Sequence, residues 1–377
     1  MQILIPMKRE EYNYWISNIN NIGPRKIETL FQVFECAEGV FRATKRELEM
    51  IREGNYGIVG TQLGDKDIDA IIKSRDMHKV QGNYAKLEKH GIYFVSKEDE
   101  RYPSKLKQIY SAPFSLYVKG NLPKEETKSI AIVGARECSA YGIEMAKFFA
   151  GAVAKEGIAV ISGLARGIDS YAHEGALAAG GVTYAVMGCG IDICYPIENI
   201  RLHTEIQEEG GIISEYAPGV QPYASNFPMR NRIISGLCDA ILVIEAKQKS
   251  GSLITVDMGL EQGRDIYALP GRITDRLSEG CNNLIKMGAK LVTSPKDILE
   301  DFFQKYEPAG DEMKKNINLL DTMGKIVYAS LSLRPKHLEE ISGETKLSMD
   351  IIMEQLLLLE LRGFARQTMK NYYVAQD

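Results

Sequence analysis

The chain has 377 residues, 45% of them hydrophobic and 25% charged, with a formal net charge of −4. This length exceeds one ordinary hydrophobic core and indicates two or three domains. The acidic balance excludes attraction of the whole molecule to nucleic acid or to an anionic membrane. Any site for a polyanion must therefore be a local patch.

Targeting and metal signals are weak in this sequence. The opening MQILIPMKREE lacks the apolar core and cleavage site of a signal peptide, and no apolar run is long enough to cross a bilayer. We therefore expect a cytoplasmic protein with no membrane partner. The cysteines form no C-x-x-C pair and the histidines do not stand at metal-ligand spacing beside them, so we predict reduced thiols, no metal site and no cofactor. The cysteines are Cys36, Cys138, Cys189, Cys194, Cys238 and Cys281.

Residues 1–85 are predicted to form a small helical domain of the SAM or helix-hairpin-helix type. In NNIGPRKIETLFQVF, Gly23 and Pro24 end one helix and begin the next. Arg25 and Lys26 fall in its first turn, where the amides of a helix amino terminus can hold a phosphate. A tight turn in a small helical bundle explains the same residues equally well.

Residues 86–300 are predicted to form an extended Rossmann-like, doubly wound α/β domain. Short apolar segments, typical of strands buried on both faces of a parallel sheet, alternate with helical segments such as IEMAKFFAGAVAKEG. The predicted strands are SIAIVG, IAVISG, VTYAVMG, AILVIEA, DIYALPG and AKLVT. Four of them end in glycine, at positions 134, 163, 188 and 271, where backbone amides can approach a phosphate closely. Glycine is also the simplest residue for a turn from strand to helix.

The carboxyl-terminal residues predict a linker, 301–315, and a winged-helix-like domain, 316–377. The linker contains Pro308 and Gly310. The domain is predicted from three helical segments, TMGKIVYASL, KHLEEISGET and LSMDIIMEQLLLLELRG, and a hairpin, FARQTMKNYYVA. The third helix carries acids among its leucines instead of a basic face, so it is poorly suited to lie along phosphates. We expect this domain to bind protein, or to be a relic of the family without a present function, more than to read a duplex groove. The acids are Asp350, Glu354 and Glu360.

The first candidate site segment is IVGARECSAYG, which reads as strand, polar loop and helix. Arg136 follows the strand, and Ser139 and Tyr141 are expected to point with the helix amides into one anion-binding crevice. The segment is neither G-x-G-x-x-G nor a Walker A loop, so it indicates neither a dinucleotide nor a nucleoside triphosphate. An arginine that buttresses the sheet through an acidic neighbour is an equally good explanation.

A second segment, ISGLARGIDSYAHEGAL, repeats this design. It supplies Ser162, Gly163 and Arg166, with Asp169 as the predicted helix cap. His173 could be imagined as a general base, but no nucleophile motif such as G-x-S-x-G accompanies it. We interpret this histidine as a structural residue of a packed helix.

A third segment, MGCGIDICYPIEN, supplies two acids in a loop bounded by glycine. Asp192 and Glu198 could perform acid–base work as a pair. Because the sequence offers neither a metal site nor a nucleophile, we expect them to cap helices or to orient the arginines.

The segment FPMRNRIISG concentrates an aromatic ring, an amide and two cations before the apolar residues at which a helix is predicted to begin. Phe227 offers a surface on which a base can stack, Arg230 and Arg232 offer cations for phosphates, and Asn231 can contact backbone or base. This combination suits a flexible single strand of nucleic acid. An apolar anchor beside surface arginines is the alternative.

The segment KQKSGSLIT is a further candidate phosphate site. Lys247 and Lys249 precede the small residues Ser250, Gly251 and Ser252, at which a helix is predicted to begin. The free amides of such a helix start attract anions. A solvated lysine loop with a helix cap would have the same sequence.

Taken in order, these motifs resemble the DNA-processing protein A family (DprA/Smf). The resemblance rests on IVGARECSAYG, SGLARGID with AH-x-GAL, GCGID-x-x-YP-x-EN, SEY-x-PG, FP-x-RNRIISGL, EA-x-x-x-SGSLIT, LPG and GCN-x-LI-x-x-GA, and it covers nearly all of residues 92–296.

The resemblance implies a bacterial cytoplasmic protein that binds and protects single-stranded DNA through its extended Rossmann domain. It further implies a homodimer that loads the RecA recombinase onto incoming strands during natural transformation. By motif, the residues expected to contact DNA are Arg136, Ser139, Ser162, Gly163, Arg166, Phe227, Arg230, Asn231, Arg232, Lys249, Ser250, Gly251 and Ser252.

Two other classes of function stay open on the sequence. A crevice with Arg136, Asp192 and Glu198 could hold a free nucleotide, as in a nucleotide-binding or nucleotide-cleaving enzyme. The absence of a Walker-type glycine signature and of a convincing nucleophile argues against this, and we predict that the protein is not an enzyme. A pure protein-interaction scaffold is the other alternative, and the intact aromatic and arginine cluster argues against it.

Overall fold

The computed structural model describes residues 6–57, 63–303, 320–332 and 334–375. The chain forms two compact units, Met1–Gln304 and Lys305–Asp377. The predicted domain boundaries at residues 85, 300 and 315 stay predictions. Most of the predicted linker, including Pro308 and Gly310, lies outside the described residues.

The first unit begins with helices and, in its described residues, has no strand before Tyr93, as the sequence predicts. Gly23 is the N-cap of the second helix and Pro24 its first residue, so this pair does mark a helix start. Apolar faces of these helices meet in one core around Trp15 and Leu30. The helices are α1 Arg9–Ser17, α2 Pro24–Phe34, α3 Ala37–Arg42, α4 Lys45–Arg52, α5 Asp65–Lys73 and α6 Met77–Lys89.

A nine-stranded sheet, ordered β1-β2-β6-β5-β4-β3-β7-β8-β9, follows in the same unit. All six predicted strands are confirmed within narrower bounds, and their parallel pairing gives the Rossmann-like sheet. The strands are β1 Tyr93–Ser96, β2 Ser115–Gly120, β3 Ser129–Val133, β4 Ala159–Ser162, β5 Thr183–Met187, β6 Gly211–Ser214, β7 Ala240–Val243, β8 Asp265–Ala268 and β9 Lys290–Leu291.

The sequence did not predict β1, β2 and β6. β6 pairs parallel with β5, and β2 then pairs antiparallel with both β6 and β1, so this hairpin extends one side of the sheet. β6 contains only two consecutive apolar residues, Ile212 and Ile213, and β2 carries a serine, a lysine and a glycine. Segments this short and mixed do not show the apolar run on which the prediction of buried strands rests.

Both faces of the sheet are covered, because successive residues of a strand point to opposite sides. Val118 and Val186 belong to one buried apolar cluster, whereas their neighbours Tyr117 and Met187 belong to another. Tyr117 also donates its hydroxyl to Asn18 Oδ1 at 2.9 Å, which joins the amino-terminal helices to the sheet.

Helices connect the strands, and in the parallel part of the sheet the amino terminus of each connecting helix follows the carboxyl end of a strand. The fifth of them, α11, begins at Asn226, so the predicted helix start after Arg232 is wrong. Phe227, Arg230 and Asn231 are therefore helical residues, and the position of each side chain follows the helical repeat. The helices are α7 Ser104–Lys107, α8 Ala140–Lys155, α9 Ile168–Ala178, α10 Ile200–Glu209, α11 Asn226–Leu237, α12 Gly251–Glu261, α13 Glu279–Lys286 and α14 Lys296–Phe303, with a 3-10 turn at Ile197–Asn199.

The second unit contains the three predicted helices and the predicted hairpin. These are α15 Thr322–Ser330, α16 Leu338–Thr345, α17 Met349–Leu361, β11 Ala365–Met369 and β12 Tyr372–Ala375. A two-residue strand, β10 Lys336–His337, pairs with β12 and was not predicted. The winged-helix class itself stays a prediction.

None of the helices in the described ranges of either unit combines the length and the apolar character that a membrane span requires.

Candidate nucleic-acid interface

A pocket of about 570 Å³ lies at the carboxyl ends of the central strands. The segments that follow β3, β4, β5, β6 and β7 and the amino-terminal halves of α11 and α12 form its walls. This is the position at which doubly wound sheets bind ligands, and the volume is within the usual range for a small-molecule site. The predicted site residues that line it are Arg136, Phe227, Arg230, Asn231, Lys249, Ser250, Gly251 and Ser252.

Phe227 forms an aromatic surface of this pocket next to an exposed cation. Its half-buried ring lies against Gly188, where an added β-carbon would stand 2.8 Å from Phe227 Cδ1. Arg136 is exposed, and its Cζ lies 5.7 Å from the centroid of the ring. A π-face and a guanidinium at this separation provide contacts for a base and for a phosphate within one nucleotide.

Tyr195 is a second aromatic residue of the pocket, and it is not among the residues predicted from the sequence. The residue is 45% exposed, and its ring centroid lies 5.4 Å from that of Phe227 with a 39° angle between the rings. Tyr195 follows the end of β5, so the rule that strand ends face the ligand crevice could have identified it. Glu137 and Thr255 also line the pocket without having been predicted.

The amino terminus of α12 provides an anion-binding end to the pocket. Ser250 is the N-cap, and its hydroxyl accepts from the amide of Ser252 at 3.4 Å. Lys247 and Lys249 are exposed just before it. Positive partial charge at a helix amino terminus, combined with two ammonium groups, favours a phosphate at this point.

Arg230 lies under the pocket instead of projecting into solvent. Its side chain is buried and donates from Nη1 to the carbonyl of Gly163 at 2.8 Å and to that of Val186. The pKa of Arg230 is lowered to about 10, mainly by burial and also by Arg136, while Asp169 acts in the opposite direction. Arg230 thus joins α11 to the ends of β4 and β5 while it lines the floor of the pocket.

Asp169 is the buried acid beside Arg230. The predicted cap role of Asp169 is wrong, because α9 begins at Ile168 with Gly167 at the N-cap. Asp169 lies one residue further, in the first turn, and accepts from the amide of Gly163 at 3.1 Å. Burial raises its pKa, and Arg230 opposes this shift.

Several predicted residues do not line the pocket but support its walls. Ser139 is the N-cap of α8, and its amide donates to Glu245 at 2.9 Å, which fixes the loop that carries Arg136. Ser162 is buried and donates to the carbonyl of Ile132 at 2.6 Å, which joins β4 to β3. Gly163 contacts Arg230, as described above. Tyr141 also lies outside the pocket lining, contrary to the prediction that it points into the crevice.

Arg232 and Arg166 form ion pairs away from the pocket lining. Arg232 is buried and reaches Glu215 with 2.6 Å between Nη2 and Oε2, and neither residue lines the pocket. Arg166 is exposed and pairs with Glu198, so that this acid orients an arginine as predicted.

Asp192 accepts a hydrogen bond from the amide of Gly219 at 2.8 Å and holds the loop that contains Gly219.

His173 is a buried structural residue, as the sequence predicts. Thr183 donates its hydroxyl proton to the carbonyl of Val160 at 2.7 Å, so His173 Nδ1 must donate to Thr183 Oγ1, also at 2.7 Å. Nε2 then has no hydrogen-bond partner within the described part of the chain. Burial lowers the pKa of His173 to about 3, with a further contribution from Arg230, so the imidazole is neutral at physiological pH.

Within the described ranges, no group of three or more histidine, cysteine, aspartate or glutamate side chains is placed to hold a metal ion. All six cysteines are free thiols.

The fold and the crevice define a Rossmann-like binding protein with a local cationic and aromatic site. The profile of the DNA recombination-mediator protein A family matches residues 93–303. The chain belongs to this family, whose members are DNA-processing proteins.

Three comparisons illustrate this membership. The DNA processing protein DprA of Streptococcus pneumoniae is 48% identical over 204 residues, which are 54% of this chain and 72% of that protein. The X-ray structure of DprA from Streptococcus pneumoniae has a TM-score of 0.64 at 35% identity and covers 81% of this chain and 100% of its own. A structure of DprA from Helicobacter pylori, reported for the single-stranded DNA binding mode of that protein, has a TM-score of 0.52 at 28% identity. The match covers 57% of this chain and 97% of the Helicobacter pylori chain.

Proposed function

We propose that this protein binds single-stranded DNA in the pocket between the β3 loop, α11 and α12. The observation that carries the proposal is that one pocket contains Phe227, the exposed Arg136 and the amino terminus of α12. Single strands need π-faces for bases and cations for phosphates, and both are present although the whole chain is acidic. Family membership and the Helicobacter pylori structure support the same ligand.

The site residues divide into two proposed roles. Direct contact with DNA is proposed for the residues that line the pocket, with Tyr195 added beside Phe227. Ser139, Ser162, Gly163 and Arg232 act by holding these residues in place, because their contacts are to the protein. Arg166 is exposed and contacts DNA outside the pocket, where a phosphate replaces Glu198 as its ion-pair partner.

The protein acts by binding and not by catalysis. The imidazole of His173 is buried and its pKa is lowered to about 3, so it cannot take up a proton at physiological pH. Asp169 is engaged by the amide of Gly163 and lies next to Arg230. Neither group is available as a general base for an enzyme acting on nucleotides.

The wider role follows from the family resemblance. The protein acts in the bacterial cytoplasm as a homodimer, protects incoming single strands and loads RecA onto them during natural transformation and recombination. Exposed apolar side chains at the β9 end of the sheet, Leu260, Met287 and Leu291, support a surface for a second copy.

Fluorescence anisotropy with labelled oligo-dT tests the proposed ligand. Wild type is titrated beside Arg136→Ala and Phe227→Ala, with duplex of the same length as competitor. Arg201→Ala and Phe148→Ala are matched controls, because both side chains are exposed and lie outside the pocket lining. We expect preference for the single strand, with loss in the two pocket variants and none in the controls. Equal binding by all five proteins would refute the pocket assignment.

A further inference from the structure

The helix α17 in the second unit carries one buried and one exposed row of apolar residues. The buried row, with Ile352, Leu356 and Leu359, packs against the rest of the unit. The exposed row consists of Met349, Met353, Leu357 and Leu361, which are 38%, 56%, 58% and 77% exposed. These four residues, here called the outer stripe, are spaced by four and so lie in one row along the helix.

The outer stripe differs from an ordinary surface. Adjacent exposed apolar side chains mark a site of interaction, whereas scattered ones do not. Two of the four are methionines, whose flexible thioether side chains adapt to the shape of a partner. The second unit therefore presents an exposed apolar surface that is suited to pack against an apolar surface of a partner.

The charges beside the outer stripe define the chemistry of that partner. Asp350, Glu354 and Glu360 are exposed on α17, and no lysine or arginine occurs from Met349 to Leu361. A second copy of α17 would bring like charges together at the edges of the contact. Lysine or arginine on the partner would instead complement them.

The shape of the outer stripe favours a helical partner. Its four side chains form a single row of roughly 18 Å, given a rise of 1.5 Å per residue. Such a row matches the apolar face of one other helix, which is a common mode of peptide recognition. We infer that the outer stripe is the docking surface for an amphipathic helix of another protein, with lysine or arginine beside its apolar face.

The test uses the full chain and a labelled synthetic peptide of leucine and lysine, about 18 residues long, with leucines at a and d spacing. A scrambled peptide of the same composition has the same charge without the apolar face. We expect saturable binding of the patterned peptide only. Met353→Gln and Leu357→Gln should each weaken it about tenfold, and Glu354→Lys should weaken it most at low salt. Ile200→Gln, which changes a 50% exposed apolar side chain of the first unit, is the matched control.

Three results would overturn the inference. They are absence of binding, equal binding of the scrambled peptide, and unchanged binding by the stripe variants. A change in oligomeric state of Leu357→Gln in sedimentation would identify a second copy as the occupant and would also overturn it. Oligo-dT binding by the same variants should equal that of wild type, so this inference and the proposed DNA site fail independently.

Discussion

The guanidinium of Arg230 lies directly against the α-carbon of Gly163. A β-carbon at residue 163 would stand 2.6 Å from Arg230 Cζ, and Arg230 Nη1 already donates to the carbonyl of Gly163 at 2.8 Å. The end of β4 and the middle of α11 therefore meet through one buried cation. Phe227 and Asn231 lie on the same helix, so this contact also sets where they stand in the pocket.

Gly163→Ala is expected to displace Arg230 and to weaken binding of single-stranded DNA. Forcing a methyl group into a packed contact costs about 1–3 kcal/mol of folding free energy, and the shift of Arg230 moves Phe227. Chemical denaturation and oligo-dT anisotropy measure the two effects. Gly82→Ala in α6 is the control, because an added β-carbon there meets no atom within 4 Å. If Gly163→Ala is as stable as wild type, the guanidinium of Arg230 is not held against Gly163.

Arg136→Ala and Phe227→Ala should weaken DNA binding with different salt dependence. Loss of a phosphate contact lowers the slope of log affinity against log salt by about 0.7 for a single strand. Loss of a stacking surface costs about 1–3 kcal/mol per base and leaves the slope unchanged. Anisotropy titrations at four salt concentrations separate the two. Identical slopes in the two variants would contradict the roles proposed for the two residues.

Arg232→Ala should act mainly on stability. The guanidinium is buried with Glu215, and two of its nitrogen atoms, Nε and Nη1, have no hydrogen-bond partner in the described residues. Removing Arg232 leaves a largely buried carboxylate without its cation, which costs about 3–5 kcal/mol. Thermal unfolding measures this loss. The double variant Arg232→Met with Glu215→Leu should recover much of it, and failure to recover would mean that the charge pair is not the cause.

Mild acid should destabilise the protein partly through His173. The pKa of His173 is lowered to about 3 in the folded chain, compared with about 6.5 for an unfolded histidine. As pH falls below about 6.5, the unfolded state binds a proton that the folded state does not, so the free energy of unfolding falls by up to ~1.4 kcal/mol per pH unit. His203, with a pKa lowered to about 4 mainly by burial, adds to this slope.

Urea denaturation between pH 7 and 4.5 tests this effect. His173→Gln should have a shallower fall in stability than wild type over that range. His78→Gln is the control, because this side chain is exposed on α6. Equal slopes in wild type and His173→Gln would show that His173 is not responsible.

Much of the fold could be predicted because its central strands are continuous apolar runs, three of which end in glycine, at positions 134, 163 and 188. β3, β4, β5 and β7 pair in parallel and are buried throughout, and burial on both faces is what produces such runs. The helix start at Ser250 was also predictable, since a serine N-cap acts through its immediate neighbours. Strands β2 and β6 were missed because their apolar runs are interrupted after two or three residues and do not show the pattern of a buried strand.

By itself, the sequence determined the composition of the proposed DNA site: an aromatic ring, arginines, lysines and a helix amino terminus at the ends of parallel strands. The tertiary structure alone decided how these groups are used. Arg230 lies beneath the pocket, Arg232 forms a buried ion pair with Glu215 outside the pocket lining, and Tyr195 lies beside Phe227. A helix turns about 100° per residue, so neighbours in sequence face different surroundings. Contacts such as Arg230 with Gly163 join residues far apart in the chain, and only the folded packing brings them together.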